Sequence, residues 1–136
     1  MVKITGQKRH SKRLKAMSGQ KMIQNVGRAI FAGSDEVRVE AQHLISQGSV
    51  QGRNHVPSRP GEPPNWDTGV LAGGITNRKT GAVSAETESS APYSLPLEIG
   101  SAKMAERPFM RPAAKNKRRR IELLVGSAVN IVIRRG

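Results

Sequence analysis

The chain has 136 residues, of which 23 are Lys or Arg, 10 are Asp or Glu and none is Cys, giving a formal net charge of +13. Such a length is typical of one domain, and an apolar fraction of 36% predicts a small core. The composition excludes a disulfide scaffold and a thiolate metal site, while the lack of a long apolar run argues against a membrane span and a secretory signal.

The N-terminal third combines a basic segment with a helical pattern. Residues 1–28 contain eight basic residues and no acid, and we predict that residues 1–13 form a loose basic arm. From Leu14 to Ile45, apolar residues recur at spacings of three, four and seven, which predicts one long helix or two collinear helices. Ser18 is a candidate N-cap, Ser34 a candidate restart, and Gly48 a candidate C-cap.

A loop rich in proline and glycine follows this helix. Its prolines at positions 57, 60, 63 and 64 exclude a helix interior, and a loop of this length in a compact domain usually has a function. Trp66, the single Trp of the chain, is a candidate anchor on another surface. A flexible linker is the alternative interpretation.

The remaining chain predicts a hairpin and a C-terminal helix. We expect a short helical turn at Val70, strands over 74–77 and 82–87, and a turn over 78–81. Apolar spacing after Pro112 predicts a helix to about residue 128. The β-branched residues from Val129 to Ile133 leave a terminal strand as the alternative.

No catalytic constellation is evident in the sequence. His10, His43 and His55 lie at spacings that match no metal site, and the Asp67-Thr68-Gly69 triplet lacks the strand context of an aspartic protease. We therefore predict that the protein is not an enzyme and binds no cofactor or metal.

Five short motifs occur in order between Pro57 and Pro112. They are Pro60-Gly61, Asp67-Thr68-Gly69-Val70-Leu71, Tyr93, Glu98-Ile99-Gly100 and Arg107-Pro108-Phe109-Met110-Arg111-Pro112. This order and spacing resemble those of the small neck proteins of long-tailed double-stranded-DNA bacteriophages, the head–tail joining, head–tail connector or tail-completion family. Many members have a longer aromatic or aliphatic stretch near Tyr93, whereas in this chain Pro96 interrupts that stretch.

The resemblance implies an α+β subunit with a long N-terminal helix, a small antiparallel β-sheet, an extended Pro/Gly-rich loop and a C-terminal helix. It also implies a virion protein, made in the bacterial host cytoplasm, that forms a ring in the neck: a hexamer or, alternatively, a dodecamer. A head-closure or adaptor protein would lie on one face and a tail terminator or tail tube on the other. We expect a basic arm over 1–13, one domain over 14–128, an inter-subunit loop over 52–69 and a basic tail over 129–136.

Two sets of residues are predicted to make contacts in such a ring. The candidate subunit-interface residues are Trp66, Pro60, Pro63, Pro64, Tyr93, Phe109 and Met110. Ordinary core packing is the alternative for Phe109. The basic ends are expected to face double-stranded DNA without sequence specificity, through Lys8, Arg9, Lys12, Arg13, Lys117, Arg118, Arg119 and Arg120.

Other classes of protein fit part of the pattern. A basic RNA-binding protein of ribosomal type fits the high pI and the basic ends, but fits the Pro-rich loop and the Arg-Pro-Phe motif poorly. A nucleic-acid-directed toxin and a minor capsid or scaffolding protein are further alternatives.

Overall fold

The computed structural model describes residues 3–47, 56–65 and 69–135. It confirms the α+β class, with long helices and a two-stranded antiparallel sheet. In chain order, the elements are α1 (Gln7–Ser18), α2 (Gln20–Ser46), α3 (Val70–Gly73), β1 (Ile75–Gly81), β2 (Ser84–Ser89), α4 (Ser94–Ile99) and α5 (Met110–Arg135).

The N-terminal segment is helical rather than a loose arm. Helix α1 begins at Gln7, so the prediction of an arm over 1–13 was wrong from that residue onward. Gly19 separates α1 from α2 with an extended backbone, at φ −84° and ψ 169°. Ser18 does not cap α2, because its hydroxyl donates back to the carbonyl of Leu14 at 3.3 Å. The helical pattern therefore divides at Gly19, and α2 continues through Ser34 without a restart.

Helices α2 and α5 form the main antiparallel pair of the fold. Asn116 of α5 bonds to Glu40, Arg120 bonds to Glu36, and Ile121 lies against Gly33, so the numbering falls along α5 as it rises along α2. A Cβ at Gly33 would lie 2.9 Å from Cγ1 of Ile121. The small residue thus permits the close approach of the two helices.

The hairpin lies against α2, and its turn is later than predicted. Arg78 and Lys79 belong to β1 and pair with Glu86 and Ala85, so the predicted turn over 78–81 was wrong. Arg78 forms a cross-strand ion pair with Glu86, which favours this register. The hairpin is fixed to α2 by the Thr87 hydroxyl, which donates to the carbonyl of Ser34 at 2.9 Å.

The core lies where the second half of α2 meets α3, β1 and the start of α5. Phe109, Ile45 and Ile75 are the largest fully buried side chains. They pack with smaller buried residues, namely Val37, Ala41, Leu71, Ala72, Ala91 and Ala113. Phe109 therefore packs in the core of its own subunit, the alternative that the sequence had left open.

The C-terminal helix is longer than predicted. It begins at Met110 and continues to Arg135, beyond residue 128, so residues 129–135 are neither a strand nor a tail. Val132 explains the continuation, because it extends the apolar spacing of the helix and is 6% exposed. The short helix α4 had not been predicted.

Candidate nucleic-acid interface

Four cations form two rows on the exposed surface of α1. Lys8 and Lys12 are four residues apart, as are Arg9 and Arg13, and all four are exposed. Residues at this spacing are neighbours on one face of a helix. The helical form of α1 thus converts a basic stretch of sequence into an ordered cationic surface.

The last turn of α5 completes this surface. Helix α1 packs against α5, and the groove between them has a volume of about 540 Å³. Ile133 and Arg134 of α5 line it together with the four cations of α1. We call this feature, lined by Lys8, Arg9, Lys12, Arg13, Ile133 and Arg134, the α1–α5 groove.

Acidic residues are absent from the two chain segments that form the walls of the groove and continue from them. Residues 3–34 and 123–135 include ten Lys and Arg but no Asp or Glu. The antiparallel arrangement of α2 and α5 brings these two segments to the same end of the fold. Among the described residues, no ion pair includes a cation of the α1–α5 groove. The groove is therefore a concentrated positive charge without internal compensation.

The second predicted basic cluster has a different environment. Arg120 contacts Glu36 of α2 at 3.2 Å, and Lys117 lies 4.0 Å from the same carboxylate. Arg118 and Arg119 lie 3.4 Å and 3.7 Å from Glu122. Each carboxylate thus serves two cations, and the run from Lys117 to Arg120 is partly neutralised within the subunit.

The two clusters are also well separated. Arg134 follows Arg120 by fourteen positions of continuous helix, or about 21 Å at 1.5 Å per residue. The sequence predictions placed Arg134 in a basic tail over 129–136, separate from both predicted DNA-facing clusters. The fold instead places Arg134 with α1. Sequence reasoning missed Ile133 and Arg134 as groove residues, although the apolar spacing that leads to Val132 would have found the helix that carries them.

The predicted interface residues are divided between surface and interior. Pro60 is exposed, Tyr93 is 44% exposed, and Pro63 and Met110 are partly buried. Pro64 and Phe109 are buried, and Phe109 has 0% exposure. These two side chains pack within the subunit and give no surface to a neighbour, which corrects their assignment to an interface. Trp66 lies outside the described residues, as do His55 and Gly48.

The described part of the Pro-rich loop is bonded to its own subunit. The backbone N–H of Gly61 donates to the carbonyl of Glu106 at 2.8 Å. The Arg107 guanidinium donates to the carbonyl of Ser58 at 3.2 Å, and the Asn65 amide bonds back to Val56 at 2.8 Å. The described residues 56–65 therefore lie against the segment that precedes α5.

Glu98 connects two of the motifs that carry the resemblance. Its carboxylate accepts the backbone N–H groups of Phe109, Met110 and Arg111 at 2.9–3.0 Å, and the Arg111 guanidinium at 3.1 Å. Burial alone would raise the pKa of Glu98, but these hydrogen bonds outweigh it and hold the pKa below its usual value. The carboxylate thus caps the N-terminus of α5, where the helix dipole also favours negative charge.

Clustered metal-binding side chains are not found in the described ranges 3–47, 56–65 and 69–135. No cluster of three His, Asp or Glu side chains there could hold a metal ion. His10 and His43 are both exposed, and His43 bonds only to Gln47, at 2.9 Å. None of the helices in these ranges combines the length and the hydropathy needed to cross a membrane.

No protein family, no curated protein and no solved structure matches the chain. The features that bear on function are therefore the groove, the charges around it and the motif resemblance.

Proposed function

We propose that the chain is a structural subunit of a bacteriophage neck, where it forms a ring that joins the DNA-filled head to the tail. The observation that carries this proposal is the separation of charge within the fold. Residues 3–34 and 123–135 hold ten Lys and Arg without an acid, and five of these cations line an open groove. A subunit that must face DNA on one side and protein neighbours elsewhere needs this kind of asymmetry.

The motif resemblance supports the neck assignment. Glu98 of the Glu-Ile-Gly motif caps the helix that begins within the Arg-Pro-Phe-Met-Arg-Pro motif. Gly61 and Arg107 connect the Pro-Gly motif to the same region. Motifs that are separate in sequence therefore form one bonded unit around the start of α5. Such a unit gives a structural reason for their order and spacing.

Exposed apolar side chains support assembly into a ring. Leu95 and Ile99 of α4 are 64% and 60% exposed, and Leu123 of α5 is 51% exposed. A closed ring needs two different surfaces on each subunit, so that one subunit binds the next by rotation. We propose that Pro60, Tyr93 and Met110 contribute to these contacts, with a hexamer as the expected ring. A head-closure or adaptor protein and a tail terminator or tail tube would cover its two faces.

Sedimentation velocity and negative-stain electron microscopy of the purified chain test this proposal. The expected result is a closed oligomer with an opening wide enough for a DNA duplex. Tyr93→Ala should weaken the oligomer while leaving the subunit folded, and Val83→Ala, at the exposed hairpin turn, is the matched control. The proposal would be overturned if the chain stays monomeric, with or without duplex DNA, at a protein concentration of about 100 μM. That concentration is about 100 times a micromolar dissociation constant for self-association.

The second candidate function is a basic RNA-binding protein of ribosomal type. The unpaired cations of the α1–α5 groove would also suit an RNA backbone. A monomer that binds structured RNA more tightly than duplex DNA would favour this alternative. The same sedimentation and binding measurements thus separate the two functions.

A further inference from the structure

We propose that the α1–α5 groove is the surface that binds the phosphate backbone of double-stranded DNA, and that the Lys117–Arg120 run is not. This inference rests on the proposed function, because it names which part of the subunit faces the nucleic acid. It assigns Arg134 and Ile133 to the binding surface. It also removes from that surface the four cations of the Lys117–Arg120 run, which the sequence predicted to face DNA together with those of α1.

The first argument is the difference in charge compensation. The cations of the groove have no ion-pair partner among the described residues, whereas the Lys117–Arg120 run shares Glu36 and Glu122. A phosphate that approached the run would meet two carboxylates as well as four cations. A phosphate that approached the groove would meet cations only, so its attraction is not offset.

The second argument is the geometry of the cations. The Lys8–Lys12 and Arg9–Arg13 rows repeat along one helix, with one turn of about 5.4 Å between members of each row. Arg134 adds a cation from the opposite wall. Duplex DNA carries one negative charge per ~1.7 Å of its axis. Several phosphates therefore lie within reach of the groove in any register, which suits a DNA that slides past.

The third argument concerns the kind of nucleic acid. The groove is lined by Lys, Arg and one Ile, and it contains no aromatic side chain. Binding of single strands depends largely on bases that stack on aromatic rings, and sequence-specific RNA recognition uses the same contact. The lining therefore favours contact with the backbone of a duplex, without readout of its sequence.

Two quadruple variants that remove the same charge test this inference. One is Lys8→Gln, Arg9→Gln, Lys12→Gln and Arg13→Gln; the matched control is Lys117→Gln, Arg118→Gln, Arg119→Gln and Arg120→Gln. Affinity for a random-sequence DNA duplex is measured by fluorescence anisotropy over a range of salt concentrations. Gln preserves helix propensity, and circular dichroism confirms that each variant is folded.

The groove variant is expected to reduce the slope of log affinity against log salt by about 3–4, because each lost phosphate contact removes ~0.9. The control variant should change the slope by less than about 1. Arg134→Gln, which leaves α1 unchanged, should reduce the slope by about 1. Equal effects of the two quadruple variants, a larger effect of the control, or tighter binding of single-stranded RNA than of duplex DNA would overturn the inference.

Sedimentation of the same variants without DNA keeps this inference separate from the proposed function. If rings form but both quadruple variants lose DNA binding equally, the inference fails and the ring stands. If no ring forms but the groove variant alone loses DNA binding, the inference stands and the neck assignment fails.

Discussion

The carboxylate of Glu98 accepts the backbone N–H of Phe109 at 2.9 Å, and Phe109 in turn is fully buried in the hydrophobic core. One residue thus holds the start of α5 while the other fixes that start in the core. Helix α4 and helix α5 are joined at this point by a charged hydrogen bond. The contacts that stabilise the folded protein at this point are therefore the same contacts that position α5.

Glu98→Gln is expected to destabilise the protein by about 1 kcal/mol at neutral pH, because an N-terminal cap and its charge are lost. The folded-state pKa of Glu98 lies below its ordinary value of 4.5. Its contribution is therefore fully present above about pH 4.5 and is lost as the pH falls through the lower folded-state value.

Urea unfolding at a series of pH values measures this difference. The gap in stability between the native protein and Glu98→Gln should be constant near neutrality and should close in acid. Glu106→Gln is the control, because Glu106 is exposed and pairs only with Arg111. A gap that does not change with pH would contradict the capping role of the carboxylate.

Gly27→Ala and Gly126→Ala should have opposite effects on stability, although both replace a helical glycine. A Cβ at position 27 would lie 2.2 Å from the carbonyl oxygen of Ala82, so the hairpin turn must move. At position 126, nothing lies within 4 Å. We expect Gly27→Ala to cost about 1–3 kcal/mol, and Gly126→Ala to add up to about 1 kcal/mol. Thermal unfolding measures both, and a stabilising Gly27→Ala would show that the hairpin does not pack there.

Replacement of Phe109 is expected to destabilise the folded protein, whereas replacement of Tyr93 is expected to leave its stability almost unchanged. Phe109→Ala removes a fully buried ring and is expected to cost about 3–5 kcal/mol, with Phe109→Leu as a milder variant that remains folded. Tyr93→Ala changes a side chain that is 44% exposed and should alter unfolding by less than about 0.5 kcal/mol. Denaturant unfolding of dilute protein makes the comparison. A stability loss for Tyr93→Ala equal to that for Phe109→Leu would argue against a surface role for Tyr93.

Helix α1 should become more helical as salt is added. Its like-charged pairs at spacing four, Lys8–Lys12 and Arg9–Arg13, each destabilise the helix by about 0.2–0.5 kcal/mol at low ionic strength, and α1 has no buried residue. Carbon chemical shifts of α1, measured by NMR between low and moderate salt, report its helicity. Lys8→Glu should raise helicity at low salt and reduce the salt effect, while Lys8→Gln should give an intermediate result. Helicity that falls with salt would contradict this account.

The helical periodicity of the sequence predicted α2 and α5, because an apolar pattern that repeats over many residues outweighs the preferences of single residues for other structures. It did not predict where they end, since these ends depend on single residues. Gly19 separates α1 from α2, and Val132 holds the end of α5 on the body of the fold. The terminal run from Val129 to Ile133 favours a strand by composition, but the run is helical and its Val132 is 6% exposed.

The groove could not have been predicted from the sequence because it joins residues from the two ends of the chain. Lys8 and Arg134 come together only after α2 and α5 pair in antiparallel order. The Lys117–Arg120 run is conspicuous in the sequence, yet its neutralising partner Glu36 is 84 residues from Arg120. Charge read along the chain therefore does not show which cations have an acidic partner within the fold.

The uneven distribution of charge gives the protein an electric dipole that runs from the Glu36 region towards α1. In a closed ring, rotational symmetry cancels the components of the subunit dipoles perpendicular to the axis and adds the components along it. Any axial component would make one face of the ring more positive than the other. A neighbour with a negative face would then bind preferentially on one side, and the direction in which the rings stack would follow from the sequence of a single subunit.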